Sequence, residues 1–248
     1  MSGHSKWHSI RHKKAIVDAK KGKMFNKIIR ELITAARIGG GDPEANPRLR
    51  IAIQHAKSVN MPSENIERAI KRGTGELEGV KYEEAVYEGY GPGGTAIMVT
   101  SLTDNKKRTT SELRTIFSKN GGNLGENGCV SWMFHRKGVI IIDKNQIDEE
   151  KLFNIVVEAG ANDISSDEKN YEITVDPDKF ENVKNALINN NIKIESAEIS
   201  MVPQTYVKVA DMKEAQQIAK LLMALEDHDD VQQVYSNADI PDEAFEGL

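Results

Sequence analysis

One end of this chain is strongly cationic and the rest is acidic. From Met1 to Arg30 nine Lys/Arg stand against a single acid, Asp18, yet the whole chain is net −5. Residues 1–72 carry 16 basic and 6 acidic groups, net +10; residues 73–136 are net −1; residues 137–203 and 204–248 are each net −7. A block of like charge cannot bury itself, and it repels itself until a polyanion neutralises it. This end therefore lies outside any core. Nucleic acid suits it, because phosphates supply affinity and Trp7 offers a stacking face among the charges. A solvated basic tail is the alternative that charge alone leaves open. The acidic regions are predicted to face away from nucleic acid or to face a basic protein.

At 248 residues the chain is long enough for more than one domain, and a 39% hydrophobic content serves several small cores. The single cysteine, Cys129, excludes an intrachain disulfide and a cysteine metal cluster, and fits a reducing compartment. No apolar run approaches the ~18 residues of a membrane span. The start lacks the apolar core of a secretory signal, and it is Lys-rich where a mitochondrial presequence is Arg-rich. A cytoplasmic protein without a membrane partner is expected.

Residues 1–19 have too little apolar periodicity for a packed face and read as an arm. His4, His8 and His12 would align on a helix, but no carboxylate or cysteine accompanies them, so no metal or cofactor is expected. From Lys20 to Ile38 the period is helical: Phe25, Ile28, Ile29, Leu32, Ile33 and Ala36 make one stripe, with Lys20, Lys23, Lys27, Arg30 and Arg37 opposite. Gly39-Gly40-Gly41 ends that helix. Two more are predicted over 47–59 and 62–72, the last stopping at Gly73. Three helices joined by short loops make a small bundle.

The pattern then turns to strands. Tyr82–Tyr90 and Thr95–Thr103 flank a Gly91–Gly94 turn as a hairpin. A helix to Lys119, a glycine-rich loop at 121–125 and a strand over Cys129–His135 follow. Residues 137–203 read as β-α-β-β-α-β, the ferredoxin-like order. A strand (206–209), a helix (212–225) and a strand (231–235) come after it. The predicted fold is thus α+β and multidomain: a basic arm and three-helix domain (1–72), a discontinuous α+β domain (80–136 plus 204–238), an inserted ferredoxin-like domain (137–203) and an acidic tail (239–248). No dimer seam is evident, so a monomer is expected.

Candidate nucleic-acid contacts are Lys6, Trp7, His8, Arg11, His12, Lys13, Lys14, Lys20, Lys21, Lys23, Lys27 and Arg30. A second candidate phosphate site is Asn105, Lys106, Lys107 and Arg108 at a helix start. Cations there oppose the helix dipole, and a bound anion would relieve the conflict. Side chains bending into water are the plain alternative. Asp104, Asn105 or Thr109 could cap that helix. Gly121-Gly122-Asn123-Leu124-Gly125 matches neither a Walker loop nor a dinucleotide fingerprint. Cys129 reads as packed, and no catalytic constellation stands out, which leaves an enzyme acting on nucleotides as the remote alternative.

Several stretches resemble the YebC/PmpR family, which includes the mitochondrial translational activator of cytochrome oxidase subunit I. They are Gly3-His4-Ser5-Lys6-Trp7, Arg11-His12-Lys13-Lys14, Lys23-Met24-Phe25-Asn26-Lys27, Met61-Pro62-Ser63-Glu64-Asn65-Ile66-Glu67-Arg68-Ala69-Ile70, Thr103-Asp104-Asn105-Lys106-Lys107-Arg108-Thr109 and Ser118-Lys119-Asn120-Gly121-Gly122-Asn123-Leu124-Gly125-Glu126. The resemblance spans essentially the whole chain. It implies a three-helix domain and two α+β domains, one inserted in the other, and no catalytic residues. It also implies one of two roles: a DNA-binding transcriptional regulator, or a translation factor that binds the ribosome and helps synthesis through difficult sequences. A long Lys-rich arm with one Trp and no evident base-reading dimer suits structured RNA better than duplex DNA. The acidic regions, too, sit more easily beside the basic proteins of a ribosome. RNA or the ribosome is therefore the expected partner, with DNA as the rival.

Overall fold

A computed structural model of the chain describes residues 18–167 and 169–245. Among the described residues three helices come first: α1 (Asp18–Gly39), α2 (Pro47–Ser58) and α3 (Ser63–Thr74). The stripe read from the sequence is the buried one, with Ile28, Leu32, Ile33 and Ala36 packed on Leu49, Ala52, Ala56, Ile66 and Ala69. Asn46 joins α1 to α2. Its side-chain oxygen accepts the Leu49 N–H at 3.1 Å and so caps α2, while its amide donates to Ala35 O and Gly40 O.

Gly73 does not end α3. The helix runs on to Thr74 and is capped by Gly75 at φ 87°, a left-handed position that glycine adopts without strain. Gly73 sits inside the helix because α1 crosses there. A Cβ on it would lie 2.6 Å from both the Ala36 Cβ and the Ile33 carbonyl oxygen.

The next part is an antiparallel sheet of order β3-β1-β2-β9, from β1 (Glu83–Tyr90), β2 (Ala96–Thr103), β3 (Asn123–Leu124) and β9 (Val231–Ser236). Helices α4 (Lys106–Lys119) and α7 (Met212–Glu226) cover one face through Tyr87, Ile97, Val99, Leu113, Phe117, Ile218 and Leu222. The opposite face, with Ala96, Met98 and Tyr235, packs on Val130 and Phe134.

The chain departs from its sequence pattern at four places. The strand expected over Cys129–His135 is a loop with a short 3-10 turn at Ser131–Met133, and the next strand, β4, begins at Phe134. The cause is Glu88, a buried carboxylate of β1. It accepts the N–H groups of Gly128, Val130 and Ser131 at 2.7–2.8 Å and so curls that segment round itself. Burial opposes its charge, but those three backbone donors outweigh burial and hold its pKa below the ordinary value. The glycine-rich stretch 121–125 is more than a turn, because β3 lies within it and pairs with β1. The strand expected at 206–209 shrinks to β8 (Val207–Lys208), which pairs in parallel with β10 (Ala238–Asp239) in a separate two-stranded sheet. Residues 239–245 are no tail: Ile240, Ala244 and Phe245 are buried with the α7 core, so apolar letters among the acids fix that segment.

The last sheet has the order β5-β6-β4-β7, from β4 (Phe134–Asp143), β5 (Ala161–Ser166), β6 (Asn170–Val175) and β7 (Ile194–Pro203). Helices α5 (Glu149–Glu158) and α6 (Phe180–Asn189) lie on one face over Ile140, Ile142, Ile173, Leu152, Val156, Val183 and Leu187. All its neighbouring strands are antiparallel, in the ferredoxin-like order. Its first and last strands start and finish side by side, with Phe134 opposite Pro203. The molecule is an α+β protein with a helical bundle at its head and a ferredoxin-like unit inserted in the body that follows.

Candidate nucleic-acid interface

The cationic face of α1 does not all point outward. Lys23 donates to the Asp227 carboxylate and carbonyl at 3.0 and 3.1 Å, and Lys27 donates to the Glu226 carbonyl. Both acceptors stand at the C-terminal end of α7, where unsatisfied carbonyls and the helix dipole favour cations. Arg30, one turn further on, donates to the Leu102 carbonyl at 3.0 Å and is paired with Asp230. Its guanidinium also lies 5.1 Å from the centroid of the Tyr82 ring. Three of the predicted phosphate contacts thus fasten the helical bundle to the body. Lys20 and Lys21 lie on the first turn of α1. Lys6, Trp7, His8, Arg11, His12, Lys13 and Lys14 lie outside the described residues.

Asp230 is the centre of this junction and is only 2% exposed. Besides Arg30, it accepts from Thr109 Oγ1 at 2.6 Å, from Arg108 at 2.8 Å and from Thr103 Oγ1 at 3.1 Å. Burial works against its charge, but the hydrogen bonds from Thr109, Arg30 and Arg108 outweigh burial. They hold the carboxyl well below the usual carboxylate range.

The same carboxylate explains the second predicted site. Asn105 caps α4, accepting the Arg108 N–H at 3.1 Å, which settles the three-way choice made from the sequence. Arg108 turns to Asp104 and Asp230, each at 2.8 Å, and Lys106 pairs with Glu83 at 3.0 Å. The cations that oppose the α4 dipole are therefore answered by the chain's own acids, and Lys107 alone of the three has no ion pair among the described residues. Asp230, His228 and Glu112 also place three ligand-type atoms within 4.8 Å of one another. That set does not suit a metal ion. The Asp230 N–H donates to His228 Nδ1 at 3.1 Å, which puts the ring proton on Nε2, facing Glu112 at 2.9 Å. Two guanidinium groups already neutralise Asp230.

Neither Asp230 nor Glu88 was marked by the sequence. Asp230 sits in an Asp-His-Asp-Asp turn that reads as solvent-facing, and its partners lie far away in the chain. Arg30 itself gave no signal, because it stands with the other cations on the face opposite the apolar stripe.

An α+β protein of three parts, with a cation-rich helical bundle latched to an acidic body, is the class this geometry defines. Comparisons narrow it. The family model for the TACO1/YebC protein N-terminal domain matches residues 5–76, and that for the TACO1/YebC second and third domain matches residues 82–238. A "probable transcriptional regulatory protein" of Persephonella marina is 60% identical, with 99% of each chain covered. A protein of the same name from Geobacter sulfurreducens is 57% identical over the full length of both. The crystal structure of a conserved hypothetical protein from Aquifex aeolicus superposes with a TM-score of 0.79 at 52% identity, covering 92% of this chain and 93% of that one. The chain belongs to the TACO1/YebC family. Among the described residues no helix is long and apolar enough to cross a membrane.

Proposed function

We propose that this chain is a nucleic-acid-binding regulator of gene expression that works by contact and not by catalysis. Structured RNA of the ribosome is its target, and its purpose is to help translation through difficult sequences. Residues 1–72, 80–136 with 204–238, and 137–203 are its working units. The observation that carries the reading is the division of charge: net +10 in residues 1–72 against −7 in each of the last two regions. Since Lys23, Lys27 and Arg30 serve the junction, the arm and the first turn of α1 are left as the principal phosphate contacts. A Lys-rich arm with one Trp can thread among irregular phosphates and exposed bases, as folded RNA presents them.

A second reading, a transcriptional regulator on DNA, is favoured by the name that the curated relatives bear. Crosslinking the protein in cells and sequencing what is attached separates the two. Ribosomal RNA crosslinked between Lys6 and Lys27 is the expected result. Promoter DNA without ribosomal RNA, lost on removal of residues 1–20, would overturn it. In vitro, reversing Lys13 and Lys14 to Glu should weaken binding to every RNA tested and reduce its salt dependence, by roughly 0.7 in log–log slope per lost contact on single strands.

A further inference from the structure

Trp132 is 65% exposed, more than any other described Trp, Tyr or Phe. An indole left in water is usually free to turn; this one is fixed. Its Nε1–H donates to the Cys129 carbonyl at 3.2 Å, and the Tyr90 hydroxyl donates to the same oxygen at 2.9 Å. The loop beneath is itself fastened. Glu88 holds three of its amides, the Gly125 N–H donates to the Glu88 carbonyl at 2.8 Å, and Asn123 pairs with Tyr90 in the sheet. A Cβ at Gly125 would stand 2.6 Å from the Cys129 sulfur, so the glycine admits the turn that closes the loop. Considerable local structure thus serves to hold two exposed aromatics on one carbonyl, with the polar atom of each already bonded.

The polar residues of the same loop and of its flanking elements indicate what those rings meet. Asn123 and Asn127 are exposed, with side chains that make no hydrogen bond among the described residues, and Lys119 and Arg136 are exposed cations without an ion pair there. Glu126 is the one exposed acid of the loop. No large aliphatic side chain is exposed between residues 118 and 136. A protein-binding hot spot needs an apolar surround that excludes water, and none is present. Exposed rings on a segment that also carries free amides and unpaired cations match an unpaired base: the ring stacks, an amide reaches the base edge and the cations meet phosphate.

We propose that Trp132, flanked by Tyr90, is a stacking platform for one unpaired nucleobase, with Asn123 or Asn127 at the base edge and Lys119 and Arg136 at the adjoining phosphates. It rests on the nucleic-acid reading and adds to it a second contact, remote in sequence from the arm.

The full-length chain with Trp7→Phe leaves Trp132 as its only tryptophan. Its emission is followed while a ten-nucleotide adenine RNA, a duplex RNA of equal length, or heparin is added. Saturable quenching by the single strand, and not by heparin, is expected. Trp132→Ala should bind the single strand ~10-fold more weakly, with heparin binding unchanged, and Trp132→Phe should restore most of the loss. Undiminished single-strand binding by Trp132→Ala, no rescue by Phe, or an emission unmoved while RNA binds would overturn the platform and leave the arm's role standing. If the unsubstituted chain binds neither RNA nor heparin, the nucleic-acid reading falls with it. A response to a protein partner and to no oligonucleotide would reassign the surface to protein contact.

Discussion

At Asp230 two opposing terms can be weighed. Removing a carboxylate from water is unfavourable, but four side chains donate to this one and two are guanidinium groups. Breaking such a pair on one side leaves Arg30 poorly satisfied. Asp230→Asn is therefore expected to destabilise the fold by ~2–4 kcal/mol in urea unfolding. The pH dependence follows from the depressed pKa. The unfolded carboxyl, near ~3.9, binds its proton before the folded one does. The stabilisation is therefore complete above that value and is lost as pH falls through it and below. In Asp230→Asn the loss of stability between about pH 4 and pH 2 should be shallower than in the parent. The sequence could not show this. Arg30 was legible as a cation at helical spacing, but its partner is 200 positions away, and an exposed cation and a latched one are the same letter.

At the scale of elements, repeating patterns could be read and single contacts could not. The α1 stripe was visible because burial recurs at the helical period of 3.6 residues, and β4 and β6 because each carries a short apolar run. Gly73 was not, since a helix stop and a close helix crossing both call for glycine. Their consequences differ. At a stop, alanine would be mild; in an exposed helix interior it would stabilise by up to ~1 kcal/mol. Here its methyl group would meet Ala36 and the Ile33 carbonyl, neither of which can swing aside. Gly73→Ala is expected to lower stability by ~1–3 kcal/mol, measured by thermal unfolding. Cys129–His135 misled for a related reason: β-prone letters described the segment, but Glu88, forty residues earlier, captured its amides.

For the molecule as a whole, charge division was legible and its direction was not. The net +10 of the first part reads as surface, yet part of it meets the acidic end of α7 within the same chain. Reversing Lys23 and Lys27 to Glu should set them against Asp227 and the α7 carbonyls and release the bundle from the body. A larger radius of gyration in small-angle scattering and faster proteolysis across residues 75–82 are expected, with helix content unchanged. Reversing Lys13 and Lys14 should leave both measurements as they are. Equal behaviour of the two double variants would show that the α1 contacts do not hold the parts together.

The side-by-side entry and exit of the inserted unit has a kinetic consequence. Strand β2 can find β9 only across the whole insert, and closing a long flexible loop is entropically slow. Once the insert has folded, β4 and β7 hold its two ends at strand spacing, ~5 Å apart, and the search shrinks to two short arms. The insert thus acts as a clasp that fastens first and shortens the journey of the outer sheet. A substitution that unfolds it, such as Leu152→Ala combined with Ile173→Ala at fully buried positions, should slow β2–β9 pairing about threefold, the effect of roughly halving a loop. Refolding followed by Trp132 emission in the Trp7→Phe background reports that rate, since the indole belongs to the outer body and registers its assembly.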